Sequence, residues 1–180
     1  GQPVNAEEVT LIADGTLNKG VGSVRFDGEG VARQRTPVVE GGAVKAFLYD
    51  LPSAALEKVP STGNSARGGP KAAPHPAASN FFLQPGRHAA AALESGLGRG
   101  YVINDVIGMH TANATTGDFS VGATGFWVEG GQRTPVRGIA IAGNLHALFR
   151  EVEAVGDDLK FYGGVGAPTV RVARLDVSGK

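Results

Sequence analysis

Apolar and polar residues alternate with period two along much of this chain, most clearly between residues 118 and 142. Phe119 and Val121, then Phe126 and Val128, then Ile139 and Ile141 recur at the spacing that places one face of a strand against a core. The same pattern predicts strands at Val9–Ala13, Ser23–Phe26, Thr36–Glu40, Ala43–Tyr49, Asn80–Leu83, Tyr101–Ile107, Asp118–Glu129, Thr134–Ala142, Lys160–Tyr162 and Pro168–Val177. Two joints read as hairpins, Gly41-Gly42 and Gly130-Gly131. Glycine reaches the positive φ that two-residue hairpin turns demand.

Three short helices interrupt the strands. Asp50 before Leu51-Pro52 combines a capping carboxylate with proline in the first turn. Arg87 to Ser95 carries an alanine run and stops at Gly96. Asn144 caps a segment reaching Val152, in which Leu145, Leu148 and Phe149 share a face, so this helix is expected to close one end of a sheet. The predicted fold is mainly β with α+β character, an antiparallel barrel-like or sandwich-like domain with about three short helices. Residues 61–79 form one long irregular loop. A connection beyond ~12–15 residues needs a reason, which here is either function or mobility.

Composition changes this picture little. Glycine supplies 28 of 180 residues, dispersed between short apolar runs, which fits many tight turns better than a low-complexity segment. The length suits a single domain spanning 1–180. Seventeen basic and 17 acidic residues cancel, leaving no electrostatic footprint for nucleic acid or an anionic membrane. No cysteine is present, which excludes disulfides and thiolate ligands within the chain. No run approaches 18 apolar residues and no signal-peptide pattern opens the sequence, so the expected location is the cytoplasm. The chain begins Gly-Gln-Pro with a strand almost at once, and it reads as the C-terminal part of a longer protein.

Catalytic side chains are scarce. The histidines are His75, His88, His110 and His146, and none stands in an HExxH arrangement. His146 and Glu151 lie about 140° apart around their helix and cannot form one metal face. Ser120 lacks the G-x-S-x-G elbow of a hydrolase nucleophile. Gly15–Gly22 and Gly163–Gly166 lack the phosphate-loop pattern, and tight turns explain them better. His110, Thr111, Asn113, Thr115, Thr116 and Asp118 form a polar cluster with two readings. One is a set of Asx and Ser/Thr turns, and the other is the lining of a cleft for a peptide or partner chain.

The ordered motifs carry a family resemblance. They are Asp14-Gly15-Thr16, Pro60-Ser61-Thr62-Gly63-Asn64, the stretch from Gly108 to Asn144 with its H-T-A-N-x-x-T-G-D-F-S core, Ala154 to Gly163, and Gly166-Ala167-Pro168-Thr169. Together they resemble the C-terminal domain of the TldD/TldE (PmbA) family, labelled modulators of DNA gyrase and treated as metallopeptidases. The neutral charge lends the gyrase label no support. In the TldD type, zinc is held by an upstream HExxxH helix and a cysteine near the C-terminal end. Here Lys160 to Val165 is short and lacks cysteine, so the resemblance is to the metal-free TldE/PmbA type.

The resemblance implies a partner, a zinc-bearing TldD-like paralogue, with unfolded peptide as substrate. It implies no catalytic residue, metal ligand or cofactor in this chain, which would supply chamber wall and dimer contacts. The long strands Asp118–Glu129 and Thr134–Ala142 are read as its exposed edges. Thr62, Gly63, Asn64, His110, Thr111 and Asn113 are the candidate substrate- or partner-binding residues. Two alternatives stay open, a stand-alone peptide- or carbohydrate-binding β module and one half of a homodimeric peptidase.

Overall fold

The computed structural model describes residues 3–179, and strands dominate them. In chain order they are β1 (Leu11–Asp14), β2 (Arg35–Glu40), β3 (Ala43–Val44), α1 (Leu51–Glu57), β4 (Ser65–Ala66), β5 (His75–Pro76), β6 (Phe81–Leu83), α2 (Ala90–Ser95) and β7 (Arg99–Ile107). A 3-10 turn at Met109–Thr111 leads to β8 (Asp118–Glu129), β9 (Gln132–Asn144), α3 (Leu145–Arg150), β10 (Val152–Val155), β11 (Lys160–Tyr162), β12 (Val165–Ala167), β13 (Val170–Val172) and β14 (Asp176–Ser178).

Two main sheets form. One has six strands in the order β11-β12-β6-β1-β2-β3, and the other has four in the order β14-β9-β8-β7. Both have free edges, so neither is a closed barrel. Pairing is antiparallel except between β12 and β6, which run parallel. The architecture is therefore sandwich-like α+β, with β10–β13 as a separate two-stranded ribbon.

Each core follows from the alternation. Val9, Val39, Leu83, Val152 and Val155 pack between the six-stranded sheet and the ribbon, with Phe149 of α3 against them. Val121, Ala123, Ile139 and Ile141 make a second core on one face of the four-stranded sheet, flanked by Ile103, Phe119, Val136, Leu175 and Val177. The apolar phase of β8 switches from odd positions (Phe119, Val121) to even ones (Phe126, Val128). Opposite that switch β9 carries one extra residue between Ile139 and Val136, a bulge against Ala123–Gly125 that changes the phase of β9 there.

Both glycine hairpins form, with Gly41 and Gly42 at φ 55° and 73° and Gly130 and Gly131 at 57° and 80°. Asp50 caps α1 through a reciprocal pair, accepting from Ser53 N while Ser53 Oγ accepts from Asp50 N.

Several predicted strands differ. Ser23–Phe26 is not a strand; only Phe26 bridges Ala32 in a turn around Asp27. Of Ala43–Tyr49 only the first two residues pair. Pro168–Val177 splits into β13 and β14, which leave one sheet for another. Within 61–79, Ser65 and Ala66 pair with Pro76 and His75, so backbone ladders brace the segment near both ends. β8 is not an edge, since it lies between two strands, whereas β9 is covered by β14 only at Ala140–Ala142 and β7 has no strand beyond it among the described residues.

Candidate functional site

Two of the sequence motifs converge on one polar cluster. Asp14, at the end of β1, accepts from Thr16 N (2.8 Å) and Thr16 Oγ1 (2.7 Å), turning the chain at Gly15. Asn80 is fully buried ahead of β6. Its Nδ2 donates to Asp14 O (2.7 Å) and Ser23 Oγ (2.9 Å), and its Oδ1 accepts from Gly22 N (2.9 Å). Gly15 lies against Arg33, where a Cβ would come within 2.6 Å of Arg33 Cδ.

The other motif closes on Arg33 from the opposite direction. Thr62 Oγ1 accepts from Tyr49 N (2.7 Å) and donates to Tyr49 O (3.1 Å). Gly63, at φ +65°, packs on the Ala32 carbonyl. Asn64 is only 1% exposed; its Nδ2 donates to Ala77 O (3.4 Å), and its backbone oxygen accepts from Ala77 N (2.7 Å). Asp27 anchors the cluster by accepting from Glu29 N, Val31 N and Ser65 N, each at 2.9 Å. Burial pushes the Asp27 carboxyl upward, but those three N–H donors and the nearby Arg33 outweigh it and hold it below the usual carboxylate value of 3.8.

Arg33 Nε and Nη1, Asn64 Oδ1 and Ser65 Oγ are buried with no hydrogen-bond partner among the described residues. Such groups retain hydrogen-bonding capacity that an ordered water can use. Asp27, Arg33 and Asn80 carried no local signal in the sequence. Their partners lie 38 residues away for Asp27 to Ser65 and 66 for Asn80 to Asp14.

The second candidate group sits elsewhere. His110 is exposed on the 3-10 turn, where Thr111 Oγ1 donates to Gly108 O (2.8 Å). Asn113 Oδ1 accepts from Thr115 N (2.8 Å) and Thr116 N (3.0 Å), an Asx turn leading into β8. Asp118 accepts from Asn144 Nδ2 (2.8 Å) and Thr116 Oγ1 (2.7 Å), and these two bonds lower its carboxyl. No hydrogen bond joins Thr62, Gly63 or Asn64 to His110, Thr111 or Asn113 among the described residues. The geometry of the second group is that of turns at a sheet end.

Asn144 links that sheet end to α3. Its Oδ1 accepts from His146 N (3.0 Å) and Ala147 N (3.4 Å), while Nδ2 reaches Thr116 O and Asp118. Asn144→Ala is expected to cost about 1 kcal/mol through the lost cap, read as a lower urea midpoint at unchanged slope. Asn144→Asp keeps the capping acceptor but loses the donor to Asp118. A stability equal to wild type in that variant would show that the Asp118 bond contributes nothing.

A cleft of about 680 Å³ opens between the four-stranded sheet and the ribbon, floored by Leu93, Tyr101, Ile103, Ile141, Phe149 and Leu175. Arg133 at its rim is paired to Glu94 at 3.1 Å. Asp158 beside it accepts from Thr169 N (2.8 Å) and Thr169 Oγ1 (2.9 Å); the backbone bond leads in lowering its carboxyl. The described residues bring no three His, Cys, Asp or Glu side chains together in a metal-holding group. No helix among them is long and apolar enough to cross a membrane.

Residues 1–179 match the family model described as the PmbA/TldA metallopeptidase C-terminal domain. The chain belongs to the PmbA/TldD metallopeptidase family. It is 33% identical to the metalloprotease PmbA homolog of Buchnera aphidicola subsp. Baizongia pistaciae over 91% of this chain and 34% of that protein. A crystal structure from Thermotoga maritima, named as a modulator of a DNA gyrase, superposes with a TM-score of 0.91 at 38% identity, covering 99% of this chain and 41% of that one. TldE of Thermococcus kodakarensis shares the fold, with a TM-score of 0.87 at 24% identity over 99% of this chain and 41% of its own. The PmbA/TldD domain described here thus spans well under half of these proteins.

Proposed function

We propose that this chain is the C-terminal domain of a TldE/PmbA-type subunit that pairs with a zinc-bearing TldD-like subunit. The pair forms a metalloprotease acting on unfolded peptides. One observation carries the assignment of subunit type. In the TldD type a cysteine loop is expected where this chain has the β11–β12 hairpin. That hairpin closes tightly, pairing Lys160 with Ala167 and Tyr162 with Val165 across Gly163-Gly164, with Gly163 at φ +63°.

Zinc does not fit the donors at hand. Lys160 to Val165 offers no imidazole, thiol or carboxylate. The four histidines stand on separate elements, and all are exposed. The domain's part is then architectural, as chamber wall and intersubunit contact. The six-stranded sheet has an edge at β11 with no strand beyond it among the described residues, and an extended peptide adding there gains main-chain hydrogen bonds without sequence preference.

The test is co-purification of the full-length parent with its TldD-like paralogue, followed by zinc analysis and cleavage of an unfolded peptide. The expected result is a stoichiometric complex that cleaves the peptide, with its zinc traced to the paralogue. Zinc or activity in the parent alone would overturn the reading.

A further inference from the structure

We infer that the side chains of the β11 edge add a selectivity to the main-chain bonds there, favouring peptides with an apolar residue followed two positions later by an acidic one. Tyr162 reads the first and Lys160 the second. This deepens the reading above and rests on an extended peptide adding at that edge. β11 joins β12 through Gly163-Gly164, with positive φ at Gly163 alone of the two, the type II′ form of a two-residue turn. Tyr162 and Val165 flank that turn as a hydrogen-bonded pair, and bonded and non-bonded pairs alternate along an antiparallel ladder. Phe161 is therefore at a non-bonded pair with Gly166, and its N–H and C=O point away from β12. One outward donor and one outward acceptor on a single residue set the register of an added strand.

The side chains of β11 divide between the two faces of the sheet. Phe161 packs edge-on to Phe82, ring centroids 5.4 Å apart, and over Gly166, where a Cβ would come within 2.8 Å of Phe161 Cε1. Lys160 and Tyr162 stand on the opposite face. Tyr162 is 80% exposed beside Val165, itself 62% exposed, and together they make an apolar step at the sheet edge. Lys160 Nζ is 4.0 Å from Asp158 Oδ2, a loose pair. Thr169 N and Oγ1 already bond that carboxylate, which leaves the ammonium open to a second one. The occupant is a peptide because this hairpin stands where the TldD type is expected to carry its zinc-ligating cysteine, a position that faces substrate. A peptide added antiparallel bonds one of its residues to Phe161. The residue before that one then faces Tyr162 and the residue after it faces Lys160, both as non-bonded pairs, whose side chains lie closer. Aromatic–apolar and opposite-charge pairs are the favourable ones across strands.

The probe is a fluorescent glycine-serine peptide with phenylalanine-threonine-glutamate at its centre. Its anisotropy is measured on the full-length parent, with and without the TldD-like paralogue, with EDTA present to stop cleavage. It is expected to bind about threefold to tenfold more tightly than the same peptide with serine-threonine-serine, since each cross-strand pair contributes modestly. The reversed order, glutamate-threonine-phenylalanine, meets only one of the two side chains at a time and binds more weakly than the forward order. K160E is expected to exchange the preference, so that phenylalanine-threonine-lysine binds more tightly than phenylalanine-threonine-glutamate. Y162S removes the advantage of phenylalanine and leaves that of glutamate. Both side chains are exposed, so neither variant disturbs the core. Equal affinities, a preference for the reversed order, an order unchanged in K160E, or no binding of any peptide overturns the inference. A paralogue that neither joins the parent nor cleaves peptide overturns the subunit reading alone, because binding to the parent is measured by itself.

Discussion

Gly63→Ala lowers the thermal midpoint by roughly 6–12 °C, the equivalent of about 3 kcal/mol in a domain of this size. Two costs add at this position. Gly63 holds φ +65°, where an L-residue is strained by ~1–2 kcal/mol. A Cβ there would also collide with the Ala32 carbonyl oxygen and stand 3.1 Å from Arg33 Cα, both parts of the backbone that closes the polar cluster. Gly130→Ala separates the two costs. Gly130 has a similar φ of +57° with nothing within 4 Å of its would-be Cβ, so only the conformational part is lost. Calorimetry on the two variants decides the matter. A Gly63→Ala midpoint no lower than that of Gly130→Ala would mean that the Ala32 backbone yields freely and the clamp is soft.

Asp27→Ala is expected to be as damaging, at roughly 3 kcal/mol or more. It strips the acceptor from Glu29 N, Val31 N and Ser65 N at once; the buried Ser65 N–H left unpaired costs ~1–3 kcal/mol, and the two half-buried donors add to it. Asp27→Asn tests the charge separately through pH. The folded carboxyl lies below the ordinary 3.8, so the stability it confers is complete above that value and is lost as pH falls through the folded one. Asp50, Asp118 and Asp158 are lowered in the same direction and act with the same sign. Wild type should therefore hold a flat midpoint near neutrality and lose stability below about pH 4. Asp27→Asn should start lower and fall less steeply. An acid limb identical to that of wild type in this variant would show that the Asp27 charge contributes nothing.

Local signals were legible wherever the chemistry was local. Asp50 with Ser53 and Asn144 with α3 are capping arrangements spanning three residues or fewer, and both form. The Gly-Gly turns dictate their own φ and join the strands they were expected to join. β10 and β12 went unread because they are short and apolar, and only a partner distinguishes such runs from loops. β10 pairs with β13, and β12 finds β6 some 84 residues earlier in register, Val165 opposite Phe81. The polar cluster was half legible. Thr62, Gly63 and Asn64 stood out as a motif, but the Arg33 and Asp27 that they enclose lie about 30–40 residues earlier in unremarkable sequence.

Taken alone, the sequence determined the β-rich class, the tight turns, the helix caps and the family, because alternation, glycine φ, side-chain capping and ordered motifs are all local properties of the chain. Tertiary structure decided which strands are edges, which motifs meet, and what a motif encloses. Those outcomes depend on pairing between distant segments, where register and burial are settled by the partner and not by the strand itself. β8 looked like a free edge until β7 and β9 were seen to flank it, while β9 is covered by β14 only at Ala140–Ala142 and no described strand pairs beyond β7.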